Sequence, residues 1–408
     1  MHRERRITKD MKKKTMLGIS LMVLGIVGIL LLGGLLYLEK KDAAEYERRA
    51  QKIENTVETE KVQDIGNVSE TEAIAENETG TENASETGNN PQSTSVVEAE
   101  NVAEPVELLF AGDVYLSGYV TGNYDSEGIS GVVDERLLTE MQNVDIFMIN
   151  EEFPFGTTGT PAEDKQFTFR VNPSYISVFK DMGVDIVSLA NNHVLDYGKE
   201  PLGETFQVLK ENNIFYVGAG TDLTDASALR TIEAGEETYG FLSASRVIPV
   251  VEWDVRNSQP GVFTTYDETL LIEAIQKAKE NCDFLTVYVH WGIERNTMPE
   301  AYQKQLAHAY IDAGADLVIG AHPHVLQGIE AYNGKLIFYS LGNFIFNQSI
   351  EKTMLVKMVK NEENIEYFVL PAHAVGAKTQ AVEDMESFEN YMESISTGIT
   401  IDSGKISF

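Results

Sequence analysis

Three regimes of hydrophobic patterning follow one another along the chain. Residues 16–38, MLGISLMVLGIVGILLLGGLLYL, are predominantly apolar and carry no charge. At about 1.5 Å per residue, such a run crosses a ~30 Å hydrocarbon layer as one helix. Residues 42–104 are rich in Glu, Thr, Asn, Ser and Gly and nearly free of aromatics. That stretch cannot bury enough apolar area to offset the entropy of ordering it, so it reads as a disordered spacer. From Pro105 onward, short apolar runs return: VELLFAGD, VDIFMIN, VDIVSLANNH, IFYVGAG, TYGFLSAS, CDFLTVYVHWG, ADLVIGAHPH, KLIFYSLGNF, MLVKMVK and IEYFVLPAHAV. Helical patterns lie between many of them, such as SYISVFKDMG, GETFQVLKENN and AYQKQLAHAYIDAG. Strands alternating with helices predict an α/β domain. Gly183 and Gly314 stand where helices should stop. VEDMESFENYMESI, residues 382–395, has its apolar positions spaced for one more helix packed on the core.

Charge sharpens this division. Residues 1–41 hold nine Lys or Arg against three acids, residues 42–104 four against sixteen, and the remainder nineteen against forty-five, giving +6, −12 and −26 of the total −32. Seven bases precede the apolar run and only Lys40 and Lys41 closely follow it. This asymmetry keeps the N-terminus cytoplasmic and places the rest outside the membrane. The run exceeds the apolar core of a usual signal peptide and no A-x-A site follows it, so it reads as an uncleaved signal anchor, with a cleaved signal peptide as the alternative. The expected organisation is a basic tail at 1–15, an anchor at 16–38, an acidic linker at 39–104, a globular domain at 105–376 and a helical extension at 377–408 packed on it. So acidic a domain repels phosphate backbones, which argues against nucleic-acid binding. The single cysteine, Cys282, excludes an intramolecular disulfide and reads as a small buried hydrophobe.

The candidate chemistry follows the apolar runs directly. Asp113, Asn150 with Glu151 and Glu152, Asn191 with Asn192 and His193, His290, and His322 with His324 each stand at the end of a predicted strand. In open α/β sheets, ligands bind beyond the carboxyl ends of strands, so five such clusters converge on one candidate site. If residues 322–324 are extended, His322 and His324 point to the same side and share one centre. Asp196 lies three residues after His193 and can hold one tautomer of that imidazole, as a general acid requires. Capping of a helix is the other reading of Asp196.

Together the runs FAGDVYLSG, NEEFPF, LANNHVLDYG, VHWGIE, GAHPHVLQG and YSLGNFIFN, spanning roughly residues 107–348, resemble the capsule-synthesis protein A (CapA/PgsA) family of poly-γ-glutamate assembly proteins. That family resembles in turn the calcineurin-like metallophosphatases. The resemblance implies a four-layer αββα sandwich of two mixed sheets, with two divalent ions at the strand ends. It implies Asp113 on the first metal, Glu152 as the bridge, Asn192, His290 and His322 on the second, and His324 returning to the first. It implies His193 with Asp196 as an acid dyad, and makes Asn150 and Arg170 candidates for substrate contact; a structural ion pair is the other reading of Arg170. One departure stands out: an opening D-x-H of the superfamily reads Asp113-Val114-Tyr115, so a histidine ligand is absent. Oxygen and nitrogen donors without thiolates suit Mn, Fe or Zn.

Three functions compete at this level. The first is a membrane-anchored component of a surface-polymer machine, working with other membrane proteins on an anionic polymer such as poly-γ-glutamate. The second is an extracytoplasmic metallohydrolase. The third is a binding module that keeps the fold without the chemistry.

Overall fold

The computed structural model describes residues 104–362 and 364–408. The expected tail and anchor, and all but the last residue of the linker, lie outside the described residues. Among the described residues, no helix is long and apolar enough to cross a membrane.

The strands in chain order are β1 (Val106–Val114), β2 (Ile146–Glu151), β3 (Ile186–Ser188), β4 (Phe215–Val217), β5 (Ala219–Gly220), β6 (Arg230–Ala234), β7 (Glu237–Ser245), β8 (Gly261–Val262), β9 (Phe284–His290), β10 (Leu317–Ala321), β11 (Ile329–Tyr332), β12 (Lys335–Phe338), β13 (Asn343–Ile345), β14 (Ser349–Lys360), β15 (Ile365–Val375), β16 (Lys378–Ala381), β17 (Thr400–Asp402) and β18 (Lys405–Ser407). The helices are α1 (Gly118–Glu127), α2 (Glu135–Gln142), α3 (Ile176–Met182), α4 (Lys199–Glu211), α5 (Leu223–Ala226), α6 (Thr269–Lys279), α7 (Ala301–Ala313) and α8 (Met385–Ile395). A ten-stranded sheet runs β17-β18-β15-β14-β1-β2-β3-β4, with β13 also on β1 and β16 on β15. A six-stranded sheet runs β11-β12-β10-β9-β7-β6. Both are mixed: β1 to β4 are parallel and β14 joins them antiparallel, while β7, β9, β10 and β12 are parallel and β6 and β11 antiparallel.

The period-2 burial of the strands explains the layering. Leu108, Phe110 and Met148 of the first sheet meet Phe241, Tyr288, Ile319 and Phe338 of the second in one apolar cluster. Their neighbours Leu109, Phe147, Ile149 and Val187 point to the opposite face and are equally buried. The outer face of the second sheet carries its own cluster, in which Leu285, Val287 and Val318 pack under Leu271 and Ile275 of α6 and Leu306 and Tyr310 of α7. Two mixed sheets therefore face each other across one core, with α6 and α7 on the outer face of the second, an α/β fold of the kind the resemblance implies. Two polar contacts tie the sheets together: Tyr288 Oη donates to the Ala111 carbonyl at 2.8 Å, and the Ser188 and Ser243 hydroxyls meet at 2.8 Å.

Helices α3 and α7 close at Gly183 and Gly314. Asp134 caps α2 by accepting from Leu137 N at 2.8 Å, and its other oxygen accepts from Ala381 N at 2.7 Å. Helix α8 places Phe388 and Met392 in the inter-sheet core. The segment after residue 377 is not purely helical, because β16 pairs with β15 and the β17–β18 hairpin extends the same sheet. The Trp291 indole donates to the Tyr339 carbonyl at 2.9 Å, and His308 lies 2.9 Å from Glu330 and stacks on Tyr332. Cys282 Sγ faces the Ala278 carbonyl, and burial pushes its thiol pKa up.

Candidate metal centre

The parallel strands of both sheets end on one side of the sandwich. Asp113 of β1, Glu152 just beyond β2, His290 at the end of β9 and His322 beyond β10 are all fully or almost fully buried there. Register fixes much of this. Asp113 stands opposite Asn150 on β2, and Ala321 opposite His290 on β9.

Glu152 is the hub. Its Oε1 lies 3.7 Å from His290 Nε2 and 3.9 Å from His193 Nε2, and its Oε2 lies 3.8 Å from His324 Nδ1. The two carboxylate oxygens thus face two separate groups. On one side stand His290, whose Nε2 is 2.8 Å from Asn192 Oδ1, and His322, whose ring centroid is 4.7 Å from that of His290. On the other stands His324, whose Nδ1 is 3.2 Å from Asp113 Oδ2. One donor atom each from Glu152, His322 and His324 can be chosen so that all lie within 4.8 Å of one another. All six residues expected as ligands are brought together.

A cation fits this arrangement because two of the donors, Glu152 and His322, lack other partners. Both carboxylate oxygens of Glu152 and both ring nitrogens of His322 are buried without a hydrogen bond. Leaving such groups unpaired costs about 1–3 kcal/mol each, so their persistence needs a reason. The electrostatics agree. Burial, reinforced by Asp113, pushes the Glu152 carboxyl well above its usual range, against the pull of His324. Burial pulls His290 and His322 well below theirs, and neighbouring imidazoles add to it, so both are neutral as ligation requires. Burial also works against a charge on His324, but Glu152 and Asp113 outweigh it and raise that imidazole to about 10. The cluster therefore retains a proton where a metal's positive charge would be stabilised.

The backbone under the two histidines differs from the extended segment the sequence suggests. His322 and His324 both have positive φ, 99° and 59°. They reach one centre through a tight turn around Pro323, not by strand alternation. Left-handed conformations at non-glycine residues cost on the order of 1–3 kcal/mol and cluster at functional sites.

The dyad expected of His193 and Asp196 is present, with Nδ1 2.6 Å from Asp196 Oδ2. The structure adds Lys165, which the sequence reading missed. Its ammonium donates to Asp196 Oδ1 and to the Asn192 carbonyl and lies 3.0 Å from His193 Nδ1. The other Asp196 oxygen, Oδ2, also accepts from Phe169 N at 2.7 Å. With Nδ1–H committed to Asp196, the lone pair of Nε2 faces the Glu152 side. Burial pulls His193 down to about 4, with the Lys165 charge acting the same way and Asp196 opposing. Phe169 stacks on the imidazole at 4.1 Å and on Tyr115 at 3.9 Å, and Phe346 closes edge-on against Phe169 and Tyr115. Tyr115, in the place of the missing histidine, packs into this wall.

The two residues expected to contact substrate have partners within the protein. Asn150 is fully buried, and its amide donates to Asp113 Oδ1 at 2.8 Å and lies 3.3 Å from His290 Nδ1, so it orients ligands from behind. The Arg170 guanidinium covers the Tyr197 ring at 4.1 Å and donates to the Thr158 carbonyl, bracing the 157–170 loop. No signal marks Lys165 in EDKQFTF. Asn343, which accepts at 2.7 Å from His324 Nδ1, could have been read from LGN as a further strand-end polar residue.

Comparison with known proteins places the chain in a family. A protein of Bacillus subtilis described as "PGA biosynthesis protein CapA" is 33% identical over 256 residues, covering 60% of this chain and 64% of that protein. The "Capsule biosynthesis protein CapA" of Bacillus anthracis is 32% identical over 260 residues, covering 61% of this chain and 62% of that protein. The chain thus spans somewhat less than two thirds of the length of these relatives. Residues 107–348, which carry every strand end described above, match the family model described as bacterial capsule synthesis protein PGA_cap, and the chain belongs to that family.

Proposed function

We propose that this chain works in the assembly or export of a bacterial surface polymer of the poly-γ-glutamate class, as a membrane-anchored domain on the outer side of the membrane that carries a dinuclear metal centre. Family membership and the names of its relatives support the process. The uncharged run at 16–38 and the basic residues before it support the anchor and its orientation. The metal centre is carried by one observation: the buried Glu152 carboxylate, free of hydrogen bonds, with each oxygen facing a different group of donors.

In this reading Asp113, Glu152 and His324 hold one ion, and Glu152, Asn192, His290 and His322 the other. Bound there, two divalent ions supply Lewis acidity and an activated water, and offset negative charge on an anionic ligand. That last property suits a polyanion approaching so acidic a domain. The chain's own residues do the rest. Asn150 fixes the Asp113 carboxylate, Lys165 and Phe169 N fix Asp196, and Asp196 fixes the His193 ring with Nε2 turned inward. The Tyr115–Phe169–Phe346 wall shields the imidazole from bulk water.

The His193–Asp196–Lys165 arrangement favours a second reading, hydrolysis of a surface-linked ester, because a positioned proton-transfer group serves bond cleavage more than binding. Deletion of the gene, complemented with wild type, His290→Ala or His193→Ala, tests both. Lost surface polymer restored by wild type and not by His290→Ala supports the assembly role and its dependence on the centre. Restoration by His193→Ala argues against proton transfer. Unaltered surface polymer in the deletion strain refutes the assembly role.

A further inference from the structure

The two groups of donors around Glu152 are unequal. The His290 side has two imidazoles, His290 and His322, with Asn192. The other side has one imidazole, His324, with Asp113, and Tyr115 stands where a second histidine is expected and packs elsewhere. The structure puts a polar group on that poorer side. Asn343 opens β13, which runs parallel to β1 with Asn343 directly opposite Asp113. Its Oδ1 lies 2.7 Å from His324 Nδ1, the atom that also lies 3.2 Å from Asp113 Oδ2 and 3.8 Å from Glu152 Oε2. Three oxygens therefore converge around a single imidazole nitrogen.

This placement is built by the backbone. Asp113 N donates to the Gly342 carbonyl at 2.9 Å. A Cβ on Gly112 would stand 1.9 Å from that same oxygen, so only glycine lets β13 approach β1 this closely. Gly342 has φ 70°, a conformation that turns the chain into β13 and that glycine adopts at low cost.

We propose that Asn343 is an oxygen ligand of the cation held by Asp113, Glu152 and His324, replacing the missing histidine. The inference rests on the metal-centre reading above and adds a donor to it. An amide oxygen is neutral, as an imidazole is, so the exchange leaves the charge of the half-site unchanged while altering its softness. The donor set becomes three oxygens and one nitrogen, against two oxygens and two nitrogens on the His290 side. Harder ions such as Mn²⁺ should therefore prefer the Asn343 side, and Zn²⁺ the His290 side.

The test is metal stoichiometry and affinity of the full-length chain loaded with Mn²⁺, for wild type, Asn343→Ala, Asn343→Asp and, as a control on the other side, His290→Ala. Wild type is expected to hold two ions. Asn343→Ala should hold one under the same conditions, its weaker site losing more than the ~10–100-fold that removal of an orienting partner costs. Asn343→Asp, which keeps the shape and an oxygen, should hold two, and it serves as the folded reference if the alanine variant is unstable. In the Co²⁺ form, loss of a direct ligand should change the visible absorption of one site. Asn343→Ala with two ions at wild-type affinity overturns the assignment, as does weakened binding with an unaltered Co²⁺ spectrum or an Asn343→Asp variant that holds one ion. Wild type that binds no ion at all overturns the metal-centre reading itself, and the assignment with it.

Discussion

A centre built for cations should be a burden without them, and His322→Met measures that burden. A neutral imidazole presents one donor and one acceptor, and both ring nitrogens of His322 are buried and unpaired. Removing two such groups stabilises the metal-free protein by about 1–3 kcal/mol each. Against this stand the lost ring contact with His290, centroids 4.7 Å apart, worth about 0.5–1.5 kcal/mol, and an imperfect shape match of less than about 1.5 kcal/mol. The strained φ of 99° is common to both side chains and cancels. At mid-range values the net gain is about 2 kcal/mol, which at about 2–4 °C per kcal/mol raises the melting temperature by roughly 4–8 °C. Calorimetry in chelator should therefore show the variant melting above wild type. With Mn²⁺ at about a thousand times the wild-type Kd the order should reverse, because wild type gains about 4.1 kcal/mol from the ion and the variant far less. A variant that melts below wild type in chelator would show that these nitrogens are not a cost, and the argument from orphaned donors would fail.

Other perturbations read other parts of the site. Lys165→Met removes a cation that helps hold His193 down at about 4, so NMR titration in chelator should show this imidazole's pKa rising toward 6.5. Between those limits an unfolded chain binds a proton at His193 that the folded protein refuses, so this group's effect is to lower stability as pH falls from 6.5 toward 4. Urea melts of the metal-free protein should show that loss flattened in His193→Asn. Gly112→Ala sets a Cβ 1.9 Å from the Gly342 oxygen, where backbone meets backbone, and should cost about 1–3 kcal/mol or more in urea unfolding while weakening metal binding on the Asp113 side.

How much of this was legible in sequence depended on the kind of signal. Asp113, Glu152, Asn192, His290 and the two histidines could be found because each polar group ends an apolar run, and parallel strands carry their ends to one edge. Their convergence needed no knowledge of side-chain rotamers. The turn at His322 and His324 was misjudged because the left-handed backbone there is imposed by surrounding structure, not by local preference. Lys165 was invisible for a related reason. It lies in a polar loop without periodicity, and only the tertiary fold folds that loop back over Asp196. The burial of Asn150 and the Tyr197 ring under Arg170 were not legible, since residue type alone does not say what a side chain faces. Strands β17 and β18 are three residues each, too short to show a period.

The most direct measurement of the central claim is anomalous diffraction from crystals of the Mn²⁺-loaded protein. Two peaks about 3.5–4 Å apart, one on each side of the Glu152 carboxylate, are predicted. A single peak that leaves one carboxylate oxygen without a metal, or peaks only at surface carboxylates, would contradict the account.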